Sequence, residues 1–359
     1  MKSNMLVTAT LLCCSFGVEA QEMDSTTTDP IKISGYLESY YSFDPNRPSS
    51  HAKAGFIYSH HRSNEIAVNL GFIKAAYEQD FIRANLALGV GTYMNANYAA
   101  EPGVFKNIYE ANVGFKLSKT NDIWFDMGVL PSHIGPESAI SADNLSLTRS
   151  LSAENSPYFE TGARLSFNSQ NKKWYLAAMA LNGWQRIQLP NTSRGLAYGQ
   201  QIQYKPTDQI TLNSSVYLGD EGKDSLRFFH DFYVQLNLNA KFEALLNWDY
   251  GIQKNPSMDK NNTWWNTGVQ LRYAILDQWK INVRGEYFKD SDAVIFSSIS
   301  PSITQVWGAS LGLDYEIYDG LFWRTEYRFF KADQAIFEKL EAANTKQSNQ
   351  LTTSLAIKF

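Results

Sequence analysis

Over residues 31–359 apolar and polar residues alternate with a period of two, in segments of about 9 to 13 residues divided by polar breaks. In the segment from Lys241, one face holds Phe242, Ala244, Leu246, Trp248 and Tyr250 and the other Glu243, Asn247 and Asp249. Next, Trp265, Thr267, Val269, Leu271 and Tyr273 oppose Asn266, Gly268, Gln270 and Arg272. The pattern continues with Trp279, Ile281, Val283 and Tyr287 against Lys280, Asn282, Arg284 and Glu286, and with Leu321, Trp323, Tyr327 and Phe329 against Arg324, Glu326 and Arg328. Successive side chains of an extended strand point to opposite faces, so each segment reads as a strand with one apolar and one wet side. Helical spacing is not sustained anywhere.

The breaks separate a soluble sandwich from a membrane barrel. Short ones fall at 79–80, 118–121, 168–172, 205–209, 239–241, 276–278 and 318–320. Long ones lie between them, at 44–63, 95–106, 131–157, 185–195, 253–262, 290–301 and 332–348, with 219–225 intermediate. Alternating turns and long loops is the pattern of an outer-membrane barrel with turns in the periplasm and loops outside. The expected fold is therefore all-β, a transmembrane antiparallel up-and-down β-barrel of about 16 strands (roughly 14–18) with both termini on the turn side. A sandwich would have to explain an apolar face on nearly every segment. Trp265 with Tyr273, and Trp279 with Tyr287, are placed to contribute to two interfacial aromatic girdles.

Composition agrees and narrows the choices. A formal charge of −4, from 32 basic and 36 acidic residues, supplies no basic field for a phosphate backbone, so nucleic acid is not an expected partner. The mean hydropathy of −0.33 and the lack of a long apolar run after the N-terminus exclude helical spans, but not barrel strands. Residues 1–20 read as a secretory signal peptide, with Lys2, an apolar centre and a Val18-Glu19-Ala20 end. A polar leader, 21–30, follows, and the barrel occupies 31–359. Both cysteines, Cys13 and Cys14, fall in the signal, so no disulfide is expected in the exported chain.

The longest break, 131–157, carries a distinctive stretch: Pro131-Ser132-His133-Ile134-Gly135, Glu137-Ser138, Asp143-Asn144, Thr148-Arg149-Ser150 and Glu154-Asn155-Ser156-Pro157-Tyr158. With residues 64–80 and Asn182-Gly183-Trp184, it resembles the putative β-barrel porin-2, OmpL-like family of outer-membrane proteins, frequent in the Bacteroidota. The likeness extends over essentially all of the exported chain. It implies a pore-forming barrel and does not imply a particular solute.

Read physically, the 131–157 loop is too long for a simple connection and carries helix-like spacing over 138–152 with Ser and Asp as caps. It joins the fifth and sixth strands. By analogy with sixteen-stranded general porins it folds into the barrel; an external flap is the competing placement. The inward register presents Arg272, Arg284, Arg324 and Arg328, with Arg164 on the sixth strand, and the loop offers His133, Glu137, Asp143, Arg149 and Glu154. These residues are the constriction candidates. Opposed signs across a narrow lumen would set up a transverse field that selects ions; pairing of Arg284 and Arg324 with Glu286 and Glu326 on the same face would instead neutralise the basic wall. Inward Tyr36, Tyr40 and Tyr233 are either sugar-stacking surfaces or space fillers.

Catalytic, metal and cofactor sites are not expected. His60 and His61 are adjacent and would point apart in an extended segment. Ser132 or Ser138 beside His133 would suit a lipase, but neither is in a strained Gly-x-Ser-x-Gly elbow. His133 is expected as a hydrogen-bonding anchor. The leading expectation is a porin for passive diffusion of small hydrophilic solutes or ions. A loop-plugged receptor, adhesin or anchor is the alternative, and a lipase the third reading. Terminal Phe359 resembles an insertion signal for the barrel-assembly machinery. Expected partners are thus that machinery, outer-membrane lipid, small solutes and, by analogy with trimeric porins, further copies of the chain.

Overall fold

The computed structural model describes residues 30–296 and 304–359. The expected export signal, 1–20, and most of the expected polar leader, 21–30, lie outside the described residues. The strands are β1 (Ile31–Phe43), β2 (Ile66–Gln79), β3 (Ile82–Val90), β4 (Ile108–Lys116), β5 (Asp122–Pro131), β6 (Phe159–Asn168), β7 (Trp174–Leu181) and β8 (Ala197–Thr207). They continue as β9 (Ile210–Asp220), β10 (Leu226–Asn237), β11 (Phe242–Asn255), β12 (Lys260–Leu276), β13 (Trp279–Asp290), β14 (Thr304–Tyr318), β15 (Leu321–Ala332) and β16 (Gln347–Lys358). Each pairs antiparallel with its neighbours in sequence, and β1 pairs with β16, so the sheet closes without an edge. Closure is what lets a sheet stand in hydrocarbon, where an unpaired backbone group finds no water.

The outer loops, in order, are L1 (44–65), L2 (91–107), L3 (132–158), L4 (182–196), L5 (221–225), L6 (256–259), L7 (described over 291–296) and L8 (333–346). L6 corrects the sequence reading. The expected long break at 253–262 is a four-residue turn, because Gln253, Lys254 and Asn255 pair with Asn262, Asn261 and Lys260. This end of the hairpin is polar and largely exposed, so its strands carry no apolar face for the period of two to mark. The 205–209 break also shrinks, to Asp208 and Gln209.

Outward residues are apolar and exposed on the isolated chain, as with Leu86, Val113, Leu165, Val269, Val283 and Leu311. Aromatics flank this band. Trp265, Tyr287 and Trp307 meet at its outer rim, with ring centroids 5.0 and 4.4 Å apart. At the turn side Trp279 stacks on Tyr315 at 4.3 Å and Trp174 on Tyr204 at 4.2 Å. At the seam, Gly35 and Phe359 exchange both backbone hydrogen bonds, 2.8 and 3.1 Å. The Phe359 ring occupies the space of the missing Gly35 side chain; a Cβ there would lie 2.4 Å from the ring.

The interior is filled mainly by loops. Phe56 of L1 packs against Phe296 of L7 at 4.7 Å and against Phe330 and Phe337 at 6.2 Å, above wall residues Phe229, Trp264 and Phe288. A second cluster surrounds α1 (Thr92–Asn97) of L2, where Tyr98 stacks on Phe159 at 4.0 Å. Each buried aromatic contributes about 1.5–3 kcal/mol. The inward tyrosines are part of this filling. Tyr36 hydrogen-bonds Ser141 Oγ at 3.0 Å, Tyr40 Oη accepts from the Arg62 amide at 2.8 Å, and Tyr233 packs with Leu145 and Leu245.

Candidate functional site

L3 folds into the barrel, and its own Ser and Asn side chains shape it. The Ser138 amide donates to Asn144 Oδ1 and Asn144 Nδ2 returns a bond to the Ser138 carbonyl, both 2.8 Å, closing a turn. Ser132 and Ser138 hydroxyls accept from the amides two residues ahead, and Ser150 caps α2 (Leu151–Glu154) by accepting from Ala153. These local bonds compete with a longer helix. The helix expected over 138–152 is accordingly only a 3-10 turn at Ser141–Asp143 and the single turn of α2.

The wall binds the loop's backbone. Arg324 reaches the carbonyls of Ser141, Asn144 and Leu145; Arg272 reaches that of Asn144 at 3.1 Å, and Arg284 that of Thr148 at 2.6 Å. Arg328 donates to Thr148 Oγ1 at 3.2 Å. Wall carboxylates accept from the loop's donors: Glu326 from the Thr148 amide at 2.7 Å, Glu286 from that of Leu151 at 2.6 Å, Asp249 from the Ser152 hydroxyl. A loop buried at membrane depth must satisfy its peptide groups in this way.

The four wall arginines do not face the acids of L3. Arg284 pairs with Glu326 at 2.6 Å, Arg328 with Glu286 at 2.5 Å, Arg324 with Asp314 at 2.8 Å and Arg272 with Glu243 at 2.7 Å. Glu137 accepts from Ser150 and from Gln270, Asp143 pairs with Lys358 near the turn-side opening, and Glu154 accepts from the amides of Tyr58 and Ser59 in L1. Burial pushes the Glu154 carboxyl up to about 7, against the pull of Arg149 and the two amides. The transverse-field arrangement is thus replaced by pairing within the wall.

His133 anchors the start of L3: its Nδ1 donates to Glu160 at 2.7 Å and its Nε2 to the Val216 carbonyl at 2.9 Å. Burial disfavours the charge, but the Glu160 carboxylate and both bonds outweigh it and hold the imidazolium pKa above the ordinary range. Neither Ser132 nor Ser138 bonds to this ring. Gly308-Ala309-Ser310-Leu311-Gly312 has the spelling of a nucleophile elbow but runs inside β14. His60 and His61 lie in L1, not in a strand. Among the described residues no group of three or more His, Cys, Asp or Glu gathers as a metal site.

Arg164 lies away from L3, on the turn-side part of the wall. It shares Asp126 with Arg83, at 3.1 and 2.6 Å. Gly114, on the intervening strand, makes that reach possible, since a Cβ there would lie 2.2 Å from Asp126 Oδ1. Sequence reasoning missed Glu38, which is fully buried and joins Asn69, Ser141 of L3 and His60 of L1 at 2.8, 2.6 and 3.1 Å. It also missed Asp231 and Asp249, buried cross-strand neighbours held by Asn213 and Asn266. A Glu on the wet face of a strand gives no local sign of its loop partners.

The sequence profile of the family described as Putative beta-barrel porin-2, OmpL-like matches residues 30–359. The chain belongs to this family. Its members are β-barrel porins, and this porin is placed in the bacterial outer membrane. Its fold is similar to that of the outer membrane channel DcaP of Acinetobacter baumannii, with 11% identity, a TM-score of 0.61, and coverage of 92% of this chain and 97% of that one. It is also similar to the in-vitro folded trimer form of OmpT of Vibrio cholerae, with 9% identity, TM-score 0.61 and coverage of 92% and 99%. The anion-selective porin from Comamonas acidovorans shares 7% identity at TM-score 0.59, again over 92% and 99%. Among curated protein sequences the chain has no match.

Proposed function

We propose that this porin passes small hydrophilic solutes and ions by passive diffusion, through a lumen that L3 narrows from within. The carrying observation is the loop itself: it lies inside a closed barrel whose inward wall is polar and charged from Lys74 and Arg83 to Gln203 and Arg272. Charged lumen walls tune selectivity rather than stability. The reading has no catalytic step and uses no cofactor. Phe359, on the seam, serves assembly by the barrel-assembly machinery, and the apolar band meets outer-membrane lipid. The trimer form of OmpT supports a homo-oligomer here.

A second reading is a loop-plugged receptor or anchor, favoured by the aromatic cluster of Phe56, Phe296, Phe330 and Phe337 across the outer half. Liposome swelling with sugars of increasing size separates the two. A diffusion channel admits the smallest sugars and excludes larger ones; a sealed barrel admits none. Chemical crosslinking of the purified protein in detergent reads its oligomeric state.

A further inference from the structure

We infer that a polar cavity at the outer mouth of the barrel, between L1 and L8, binds a small zwitterion of the amino-acid class, its carboxylate on Lys53 and its ammonium on Asp44. This goes beyond passive diffusion, because it gives the mouth a recognition step that serves a channel or a receptor alike. The cavity measures about 170 Å³ and is lined in part by Asp44, Ser50, Lys53, Phe337, Ser348 and Gln350. At about 30 Å³ per water it has room for about five or six, or for a solute the size of glycine or alanine. Its walls are held before any solute arrives. Glu338 of L8 accepts from the Ser49 amide at 2.8 Å and the Ser50 hydroxyl at 3.0 Å, and the Leu340 amide donates to the Asn46 carbonyl at 2.9 Å. Asn64 clamps the Asp44 backbone, accepting from its amide and donating to its carbonyl, both at 3.1 Å. A site fixed in advance loses little to ordering on binding.

Lys53 and Asp44 are 5 and 4% exposed. Among the described residues the Lys53 ammonium forms no hydrogen bond and no ion pair. It is not sealed in protein, as the outer Arg149 nitrogens are, but keeps accessible surface in a residue that lines the cavity. Glu154 and Glu326 act on it only from a distance, their oxygens being taken by the Tyr58 and Ser59 amides and by Thr148 and Arg284. Burial and Arg328 outweigh the pull of Glu154, Asp44 and Glu326 and push the ammonium down to about 8, so at neutral pH it keeps a charge that its surroundings do not fully compensate. On Asp44, one carboxylate oxygen accepts from the Asn46 amide at 2.8 Å and the other has no partner among the described residues. Gln350 Nε2 donates to Ser348 Oγ at 3.2 Å, which leaves its amide oxygen as a second acceptor. The cavity thus offers a cationic donor and two acceptors that do not pair with one another. A carboxylate alone would leave Asp44 unanswered, and a cation alone would leave Lys53.

The test is calorimetric titration of the full-length purified protein with glycine, L-alanine, acetate and methylammonium, each separately. Wild type is expected to bind glycine or L-alanine, and to bind acetate and methylammonium at least about tenfold more weakly, because each of these meets only one of the two charges. Lys53→Met keeps the length of the side chain without its charge, and Asp44→Asn keeps the shape and an acceptor for the Asn46 amide. Each is expected to weaken amino-acid binding at least about tenfold. Both variants are checked as heat-modifiable barrels, and the comparison of the probes on wild type decides where neither is recovered. No amino-acid binding by wild type, acetate bound as tightly as glycine, or unchanged binding in either folded variant overturns the site. Binding without any KCl current in planar bilayers supports the site and overturns the channel reading; current without binding does the reverse.

Discussion

Glu326 is the acceptor on which the docking of L3 most depends. Fully buried, it takes the Thr148 amide at 2.7 Å, the Thr148 hydroxyl at 3.1 Å and Arg284 Nη2 at 2.6 Å. Truncating one partner of a buried ion pair costs about 3–5 kcal/mol, because the other charge is left uncompensated. Arg284 keeps the Thr148 carbonyl at 2.6 Å and Glu286 at 3.6 Å, which puts Glu326→Ala near the lower end, about 3 kcal/mol. At about 1.4 kcal/mol per factor of ten, the undocked loop becomes roughly a hundredfold more populated.

Trypsin reads this population directly. Arg149 is the only Lys or Arg in residues 132–158, and its side chain is fully buried while L3 is docked. Cleavage that follows a rapid opening tracks the open fraction. The fragment ending at Arg149 is therefore expected to accumulate about a hundredfold faster in Glu326→Ala than in wild type, with the heat-modifiable barrel intact. Replacing the pair together, as Arg284→Met with Glu326→Leu, is expected to recover most of the loss, since an apolar pair leaves no charge exposed to a dry site. Cleavage at Arg149 within about twofold of wild type in Glu326→Ala would refute the assignment of Glu326 as a docking anchor.

The same cleavage assay, normalised to an unfolded substrate at each pH, tests two titrating groups. The His133 pKa is raised in the folded protein, so its contribution is fully present below about 6.5 and is lost as pH rises through the raised value; His133→Asn is expected to flatten that limb. The Glu154 pKa is also raised, to about 7, so docking is favoured at acid pH and weakens between roughly 4.3 and 7; Glu154→Gln is expected to abolish this dependence. Gly35→Leu places a side chain where the Phe359 ring lies and is expected to slow formation of the heat-modifiable band, whereas Gly35→Ala gives a smaller delay. Asp126→Asn leaves Arg83 and Arg164 without their shared carboxylate, so the reversal potential under a KCl gradient is expected to move toward anions, and Arg164→Gln moves it the other way. An unchanged reversal potential in both would remove these groups from the conduction path.

The strands were legible because each carries its two faces in its own residues, so the period of two marks them without knowledge of any neighbour. Residues 253–262 show the limit of that signal. Gln253, Lys254, Asn261 and Asn262 resemble a loop because the period marks burial against lipid, and this polar, largely exposed hairpin end carries no apolar face for it to mark. The length of L3 showed that it was unusual, but its placement depends on partners far away in sequence: Arg284 meets Thr148 136 residues earlier and Glu326 42 residues later.

The pairing of the wall arginines does have a readable trace. Inward Arg284 and Glu286 on β13, and Glu326 and Arg328 on β15, are separated by β14, whose inward residues between them are Gly308, Ser310 and Gly312. Long side chains on β14 would keep the flanking rows apart. Small ones let Arg284 reach Glu326 and Arg328 reach Glu286 across the intervening strand. A Cβ on Gly308 would lie 2.5 Å from Glu286, which shows how closely that row is occupied. The run Gly308-Ala309-Ser310-Leu311-Gly312 therefore acts as a gap in the wall, and charges on the strands beside such a gap pair with each other and meet the peptide groups of L3 rather than its acids.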